Sequence, residues 1–276
     1  MSETLTVALA QYTSVIQDAP ANVDKACRFI SEASQAGCDL ILLPELFNSE
    51  YFGQFRDYSY IRYAESDSGP SVSRVLEAAQ QGSIFVAANF FEDAGGGHRY
   101  NTTALCSPDG EIVGKYRKTH PAAIFGVEKL FYRYGTQFPS FRVKEWRVGL
   151  ITSDDNFYPE ATRSVALAGA EVILMPHAVV KGVLWNELFQ ARAFENSVYI
   201  CVANKVGRED DFDFCGLSLT VDPLGKVVAE ADETTEGLTI VELDRSQVAT
   251  ARNTFHLYRD RRPDLYGRLV QETDTF

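Results

Sequence analysis

The sequence offers little for a metal to hold. Its histidines, His98, His120, His177 and His256, never stand four residues apart, and its cysteines, Cys27, Cys38, Cys106, Cys201 and Cys215, form no C-x-x-C pair. Neither a zinc framework nor a metal-dependent site is expected, and no cofactor is called for. An odd number of scattered thiols fits reduced, buried small hydrophobes in a cytosolic protein. No stretch approaches the ~20 apolar residues of a membrane helix. The opening "MSETLTVALAQ" has no basic segment ahead of a long apolar core, so no signal peptide is expected either. Positive charge is also short, with 26 Lys and Arg against 38 Asp and Glu and a formal charge of −12. That balance disfavours non-specific binding to nucleic acid or anionic membranes. Linkers and low-complexity tracts are missing too, which points to a single domain over residues 1–276.

What is present is a 45 % hydrophobic chain, enough for a sizeable core. "LTVALAQ" (5–11) reads as a buried strand and residues 21–36 as a helix ending at Gly37. A strand follows at 39–44, a helix at 70–81, and a strand in "SIFVAANFF". Two strands near 99–107 and 111–116 are joined by the turn "PDG", and "EDAGGGHRYN" reads as a hairpin tip. After an irregular stretch the pattern resumes with a strand near 147–152, a helix at about 160–168 and the strand "EVILMP". A helix over 184–195, the strand "VYICVANKV", three strands within 214–242 and a short helix from 244 complete the reading.

The halves echo one another: "LILLPE" (40–45) resembles "VILMPH" (172–177), and "PDGEIVG" is answered by "PLGKVVA". Two such sheets, each with helices on one face, can bury their bare faces together. The expected fold is therefore α/β, a four-layer α-β-β-α sandwich of two similar sheets.

Glu45, Lys118 and Ser153 each stand just past a strand end. Singly, each reads as a cap or a solvated charge. If the strand ends share one rim, the three make a set able to hydrolyse a C–N bond. A carboxylate moves the proton, an ammonium faces the oxyanion, and a nucleophile takes the acyl group.

On these residues the chain resembles the nitrilase, or carbon–nitrogen hydrolase, superfamily over almost its whole length. "LILLPELF" resembles the glutamate motif, "GKYRKTH" the lysine motif, and "VGLITSDDNFYPEATRSVALAGAEVILMP" the nucleophile motif. The resemblance implies Glu45 as general base, Lys118 as oxyanion stabiliser, Ser153 at the nucleophile position and Glu128 as the second glutamate. It also implies a homodimer or larger homo-oligomer, with the C-terminal tail at about 252–276 used in the contacts.

The family carries cysteine where this chain has Ser153. A serine hydroxyl is far less acidic than a thiol, so slow acylation is expected. Three readings stand: an inactivating Cys→Ser substitution, a natural Ser–Lys amidase, and a catalytically dead ligand-binding or scaffold member of the fold. The stretch Asp155, Asn156, Phe157 lacks the arginines that hold a substrate carboxylate in carbamoyl-amino-acid hydrolases, which disfavours an acidic substrate. "SDDNFYPE" resembles aliphatic amidases and formamidases, whereas "EKLFY" and "RDRRPDLYG" resemble N-carbamoylputrescine amidases. A small amide or carbamoyl-amine substrate is expected, and a nitrile is not. The candidate pocket residues are Phe157, Trp185, Tyr51, His120 and Asp154, with Phe52 and Phe125 as further aromatics. Asp154 and Asp155 are expected to anchor the turn and fix Lys118.

Overall fold

The computed structural model describes residues 4–123, 126–180 and 185–272. The first strand, β1 (Thr4–Gln11), sets the layering. Leu5, Val7 and Leu9 join one core cluster, while Ala8 and Ala10 join another. This is the period-two pattern of a strand buried on both faces. Helix α1 (Ala19–Gln35) begins where the Asp18 carboxylate accepts from the Ala21 N–H and Pro20 occupies the first turn. Next come β2 (Leu40–Leu42), α2 (Pro70–Gly82), β3 (Phe85–Asp93), β4 (Arg99–Cys106) and β5 (Ile112–Arg117).

The second half runs β6 (Ser140–Val143), β7 (Trp146–Leu150), α3 (Pro159–Leu167), β8 (Val172–His177), α4 (Trp185–Asn196) and β9 (Tyr199–Asn204). A separate hairpin, β10 (Val206–Glu209) and β11 (Phe212–Cys215), precedes β12 (Leu219–Val221) and β13 (Val227–Glu230). The chain then returns to the first half as β14 (Gly237–Asp244) and continues into α5 (Arg245–Phe255).

Two six-stranded sheets result, ordered β14-β1-β2-β3-β4-β5 and β6-β7-β8-β9-β12-β13. Each has a parallel centre, β1-β2-β3 in one and β7-β8-β9 in the other, flanked by antiparallel strands. Leu5, Val7, Leu9, Leu40 and Leu42 of the first sheet share a core with Val148, Leu150, Val172, Leu174 and Val202 of the second. The other face of the first sheet, Ala8, Ile41 and Val86, packs with Ala26, Ile30, Val75 and Ala79 of α1 and α2. The fold is the expected four-layer α-β-β-α sandwich. No helix of the described residues is long and apolar enough to cross a membrane.

The differences from the sequence reading are local. Strand β2 covers only Leu40–Leu42; the Leu43 N–H still donates to the Ala87 carbonyl of β3, and the Glu45 N–H then crosses to the His177 carbonyl of the second sheet. Strand β6 and the hairpin β10–β11 fall in stretches without a clean alternation, and four strands rather than three occupy residues 212–244. The expected start of α4 at residue 184, and Phe125, lie outside the described residues.

Gly149 of β7 packs closely against α3. A Cβ there would run into Val165 Cγ1 of α3 and lie 3.1 Å from Ala170 Cβ. Overpacking of this kind costs about 1–3 kcal/mol. Gly149→Ala is expected to lower the urea midpoint accordingly, and an unchanged midpoint would show that α3 yields without cost.

Candidate active site

Four loops reach the same point between the sheets, and backbone bonds fix each of them. Glu45 lies beyond β2, and its N–H donates to the His177 carbonyl at the end of β8 at 3.2 Å. Leu46 then turns with φ +51°, its N–H donating to Asn89 Oδ1 at 2.9 Å. Lys118 follows β5 directly, its N–H donating to the Asn101 carbonyl at 2.8 Å. Glu128 opens a short 3-10 turn, Glu128–Leu130, and Ser153 opens another, Ser153–Phe157, just past β7.

The Lys118 ammonium is fully buried and meets three carboxylates. Nζ donates to Glu45 Oε1 at 3.1 Å, to Glu128 Oε1 and Oε2 at 3.0 and 2.8 Å, and to Asp154 Oδ2 at 2.9 Å. Further donors hold the carboxylates in place. Asn101 Nδ2 reaches Glu45 Oε1 at 2.7 Å, and Tyr51 Oη reaches Glu128 Oε1 at 3.0 Å. The Ala122 N–H donates to Glu128 Oε2 at 2.7 Å. Glu45 Oε2, also buried, has no hydrogen-bond partner among the described residues. It is the oxygen left to take or give a proton.

Burial pushes the Glu45 carboxyl up to about 7, against the opposing pull of Lys118. The Glu128 carboxyl is raised for the same reason. Burial by itself favours a neutral amine at Lys118, but Asp154, Glu128 and Glu45 outweigh it and lift its pKa well above the usual lysine value. The lysine therefore stays charged while Glu45 sits near neutrality, the range suited to general acid–base work.

Ser153 is buried and takes φ +47°, a left-handed conformation that costs a non-glycine residue of order 1–3 kcal/mol. Asp155 holds the turn that imposes it. The Asp155 carboxylate accepts from the Thr152 N–H (3.0 Å), Tyr116 Oη (2.6 Å), Thr119 Oγ1 (2.7 Å) and the His120 N–H (3.0 Å), and pairs with His120 Nδ1 at 2.8 Å. Burial pushes this carboxyl up, but the bonds from His120, Tyr116 and Thr119 prevail and hold it below the ordinary aspartate range. The two aspartates thus divide the expected duties, with Asp154 on Lys118 and Asp155 on the turn.

The candidate pocket residues fare unequally. His120 is part-exposed and stacks on Tyr158 with ring centroids 3.8 Å apart. Trp185 lies edge-on to His177, with centroids at 5.6 Å, and donates from Nε1 to the Leu217 carbonyl. Tyr51 is buried with its hydroxyl on Glu128, whereas Phe157 is half-exposed. Phe52 belongs to an aromatic core with Tyr60, Phe91 and Phe131.

Sequence reading missed Asn101, Tyr116, Tyr158 and His177. Asn101 carried a signal, being a polar residue on the buried face of a strand, where it joins Asn89 and Thr103. Burial lowers His177 to about 4, and its Nδ1 lies 3.1 Å from the Met175 carbonyl, so this neutral ring donates there. No group of three or more His, Cys, Asp or Glu side chains among the described residues is arranged to hold a metal.

Residues 6–253 match the carbon-nitrogen hydrolase family model. The chain is 32 % identical to N-carbamoylputrescine amidase of Solanum tuberosum, over 96 % of this chain and 95 % of that protein. A solved carbon-nitrogen hydrolase from Helicobacter pylori G27 superposes with a TM-score of 0.92 at 24 % identity, covering 98 % of this chain and 99 % of that one. An amidase from Nesterenkonia sp. AN1 superposes with a TM-score of 0.84 at 25 % identity, covering 97 % of each chain. It was solved as a variant showing covalent addition of the acetamide moiety of fluoroacetamide at its active-site cysteine.

The raised Glu45 carboxyl has a consequence for stability. In the unfolded chain it titrates near 4.5, in the folded protein near 7. The native state therefore binds the extra proton between these values, and the stability it contributes is lost as pH rises through about 7. Glu45→Gln removes this dependence. The stability of the parent relative to Glu45→Gln, from denaturant melts, is expected to fall between pH 5 and pH 8, and a constant difference would contradict the assignment.

Proposed function

The chain belongs to the carbon–nitrogen hydrolase family, and we propose that it hydrolyses a non-peptide linear C–N bond, releasing ammonia from a small amide or an N-carbamoylated amine without a cofactor. The observation that carries this reading is the buried Lys118 ammonium held by Glu45, Glu128 and Asp154, next to the strained turn at Ser153.

The nucleophile at position 153 attacks the substrate carbonyl and gives its proton to Glu45 Oε2. The charge of the Lys118 ammonium, held in place by three carboxylates, offsets the oxyanion that forms. Collapse of the tetrahedral intermediate breaks the C–N bond, and the departing amine takes the proton back from Glu45. Water then attacks the acyl group by the same path in reverse roles. Glu128, bonded to Lys118 through both oxygens, keeps the ammonium in line.

Ser153 fits this machinery as a disabled nucleophile, a Cys→Ser form. Nothing bonded to Lys118 leaves it free to act as a base, since its three carboxylates hold its proton more tightly than usual. That weighs against a Ser–Lys amidase. For the substrate, three carboxylates against one ammonium disfavour an anion, and the potato relative's name points to a carbamoylated amine. In this reading Trp185, His120, Asp154 and Phe157 border the substrate, and Tyr51 acts through Glu128. The C-terminal tail, where Leu265, Leu269 and Val270 are exposed, packs on a second copy of the chain.

Ammonia release on short amides, formamide and carbamoyl amines is expected to rise by about three orders of magnitude or more in Ser153→Cys. Equal rates for both forms would make this a serine amidase. Binding without turnover in either form would favour the non-catalytic reading. Sedimentation is expected to show a dimer or larger species, and a monomer at micromolar concentration would contradict the role given to the tail.

A further inference from the structure

A second buried lysine lies outside the constellation just described. Lys205, directly after β9, is fully buried and has all its donors used. Nζ donates to Ser14 Oγ at 2.6 Å, to the Ser49 carbonyl at 2.7 Å, and to Glu209 Oε1 and Oε2 at 2.9 and 3.2 Å. Glu209, at the end of β10, is equally buried. Its two oxygens also accept from backbone of the first half of the chain: Oε1 from the Ser14 N–H at 2.9 Å and Oε2 from the Tyr51 N–H at 2.7 Å. An ion pair taken out of water is weak evidence for stability, because desolvation cancels most of the attraction. Position is what such a pair can specify.

The residue it positions is Tyr51. The Tyr51 ring stacks on Phe212 of β11 at 5.7 Å and meets Phe214 edge-on at 6.2 Å. The Tyr51 hydroxyl ends on Glu128 Oε1, which shares Lys118. Two glycines keep the space around that hydroxyl open. A Cβ on Gly53 would lie 2.8 Å from Tyr51 Cζ and 3.2 Å from Glu128 Cγ, and one on Gly126 would lie 2.8 Å from Tyr51 Oη. From these contacts we infer that the Lys205–Glu209 pair and its hairpin are a positioning device. They set Tyr51, which sets Glu128, which sets the Lys118 ammonium. The inference rests on the proposed roles of Lys118 and position 153, and it assigns Lys205 and Glu209 no contact with substrate.

The test uses the full chain carrying Ser153→Cys. The pH dependence of alkylation at the introduced thiol by iodoacetamide, followed by peptide mass spectrometry, reports the field of Lys118. Crystal structures of the same proteins report the Tyr51–Glu128 contact. Glu209→Gln, Tyr51→Phe and their combination are compared, with Gly126→Ala as a variant that pushes on the hydroxyl without touching the ion pair.

Glu209→Gln is expected to lengthen the Tyr51–Glu128 contact, displace the pH midpoint, and slow alkylation at neutral pH by about tenfold or more, as small misplacements do. Tyr51→Phe and Gly126→Ala should displace the midpoint in the same direction. The double variant should be no worse than Tyr51→Phe alone. An intact Tyr51–Glu128 contact in Glu209→Gln overturns the relay. So does a melting temperature that falls with no change in the pH profile, or a fully additive double variant. Should the parent thiol react no faster than a free cysteine and ignore Lys118→Met, the nucleophile assignment fails instead, and the crystallographic contact alone decides the relay.

Discussion

One buried ammonium governs the arrangement of this molecule. Taking Lys118 and its carboxylates out of water costs several kcal/mol per ion, and only well-placed partners offset that. Glu45, Glu128 and Asp154 provide them from three different loops, and Asn101, Tyr51 and the Ala122 N–H add bonds to Glu45 and Glu128, leaving Glu45 Oε2 without a partner among the described residues. A misplaced loop would leave a charge unpaired in the dry interior. The convergence of β2, β5, β7 and β8 at one rim is thus an electrostatic requirement as well as a topological result. Their ends are also tied directly, as where the Glu45 N–H reaches the His177 carbonyl across the two sheets.

Near that charge, the turn at Ser153 is held by an acid that never reaches the lysine. Asp155 gathers donors from Thr152, Tyr116, Thr119 and His120 and so keeps Ser153 at positive φ. Strain of this kind persists only where the surroundings over-determine it. The five contacts of Asp155 do so, with Tyr116 coming from the first sheet and Thr152 from the second. The side chain at position 153 can change without altering the turn, because the restraint acts on the backbone around it.

Much of this was legible in the sequence, for reasons that differ by residue. The sandwich could be read because β1 and its counterparts are short, largely apolar runs and the two halves repeat the same order of strand and helix. Glu45 and Ser153 could be placed because each follows an apolar run, and Lys118 because it directly follows the strand after the "PDG" turn. The hairpin β10–β11 was hidden, since "VGREDDFDFC" mixes buried and exposed residues without period, and its function in the fold lies in one buried ion pair. Tyr51 could be singled out as an aromatic near the site. Its attachment to Glu128 could not, because nothing local in the sequence says which of two faces a tyrosine hydroxyl will find. Asp154 and Asp155 illustrate the same limit. Adjacent and identical, they differ in burial and in the partners that reach them, Lys118 for the part-exposed Asp154 and Tyr116, Thr119 and His120 for the buried Asp155.

The proposed reading puts position 153 where Glu45 and Lys118 serve a nucleophile. Its most direct test is the mass of the protein itself. Ser153→Cys, mixed with a short amide and quenched in acid within its first turnovers, should carry an acyl group on the peptide spanning position 153, and Lys118→Met should abolish it. Acylation on a different peptide, or at position 153 with undiminished yield after Lys118→Met, would contradict the account.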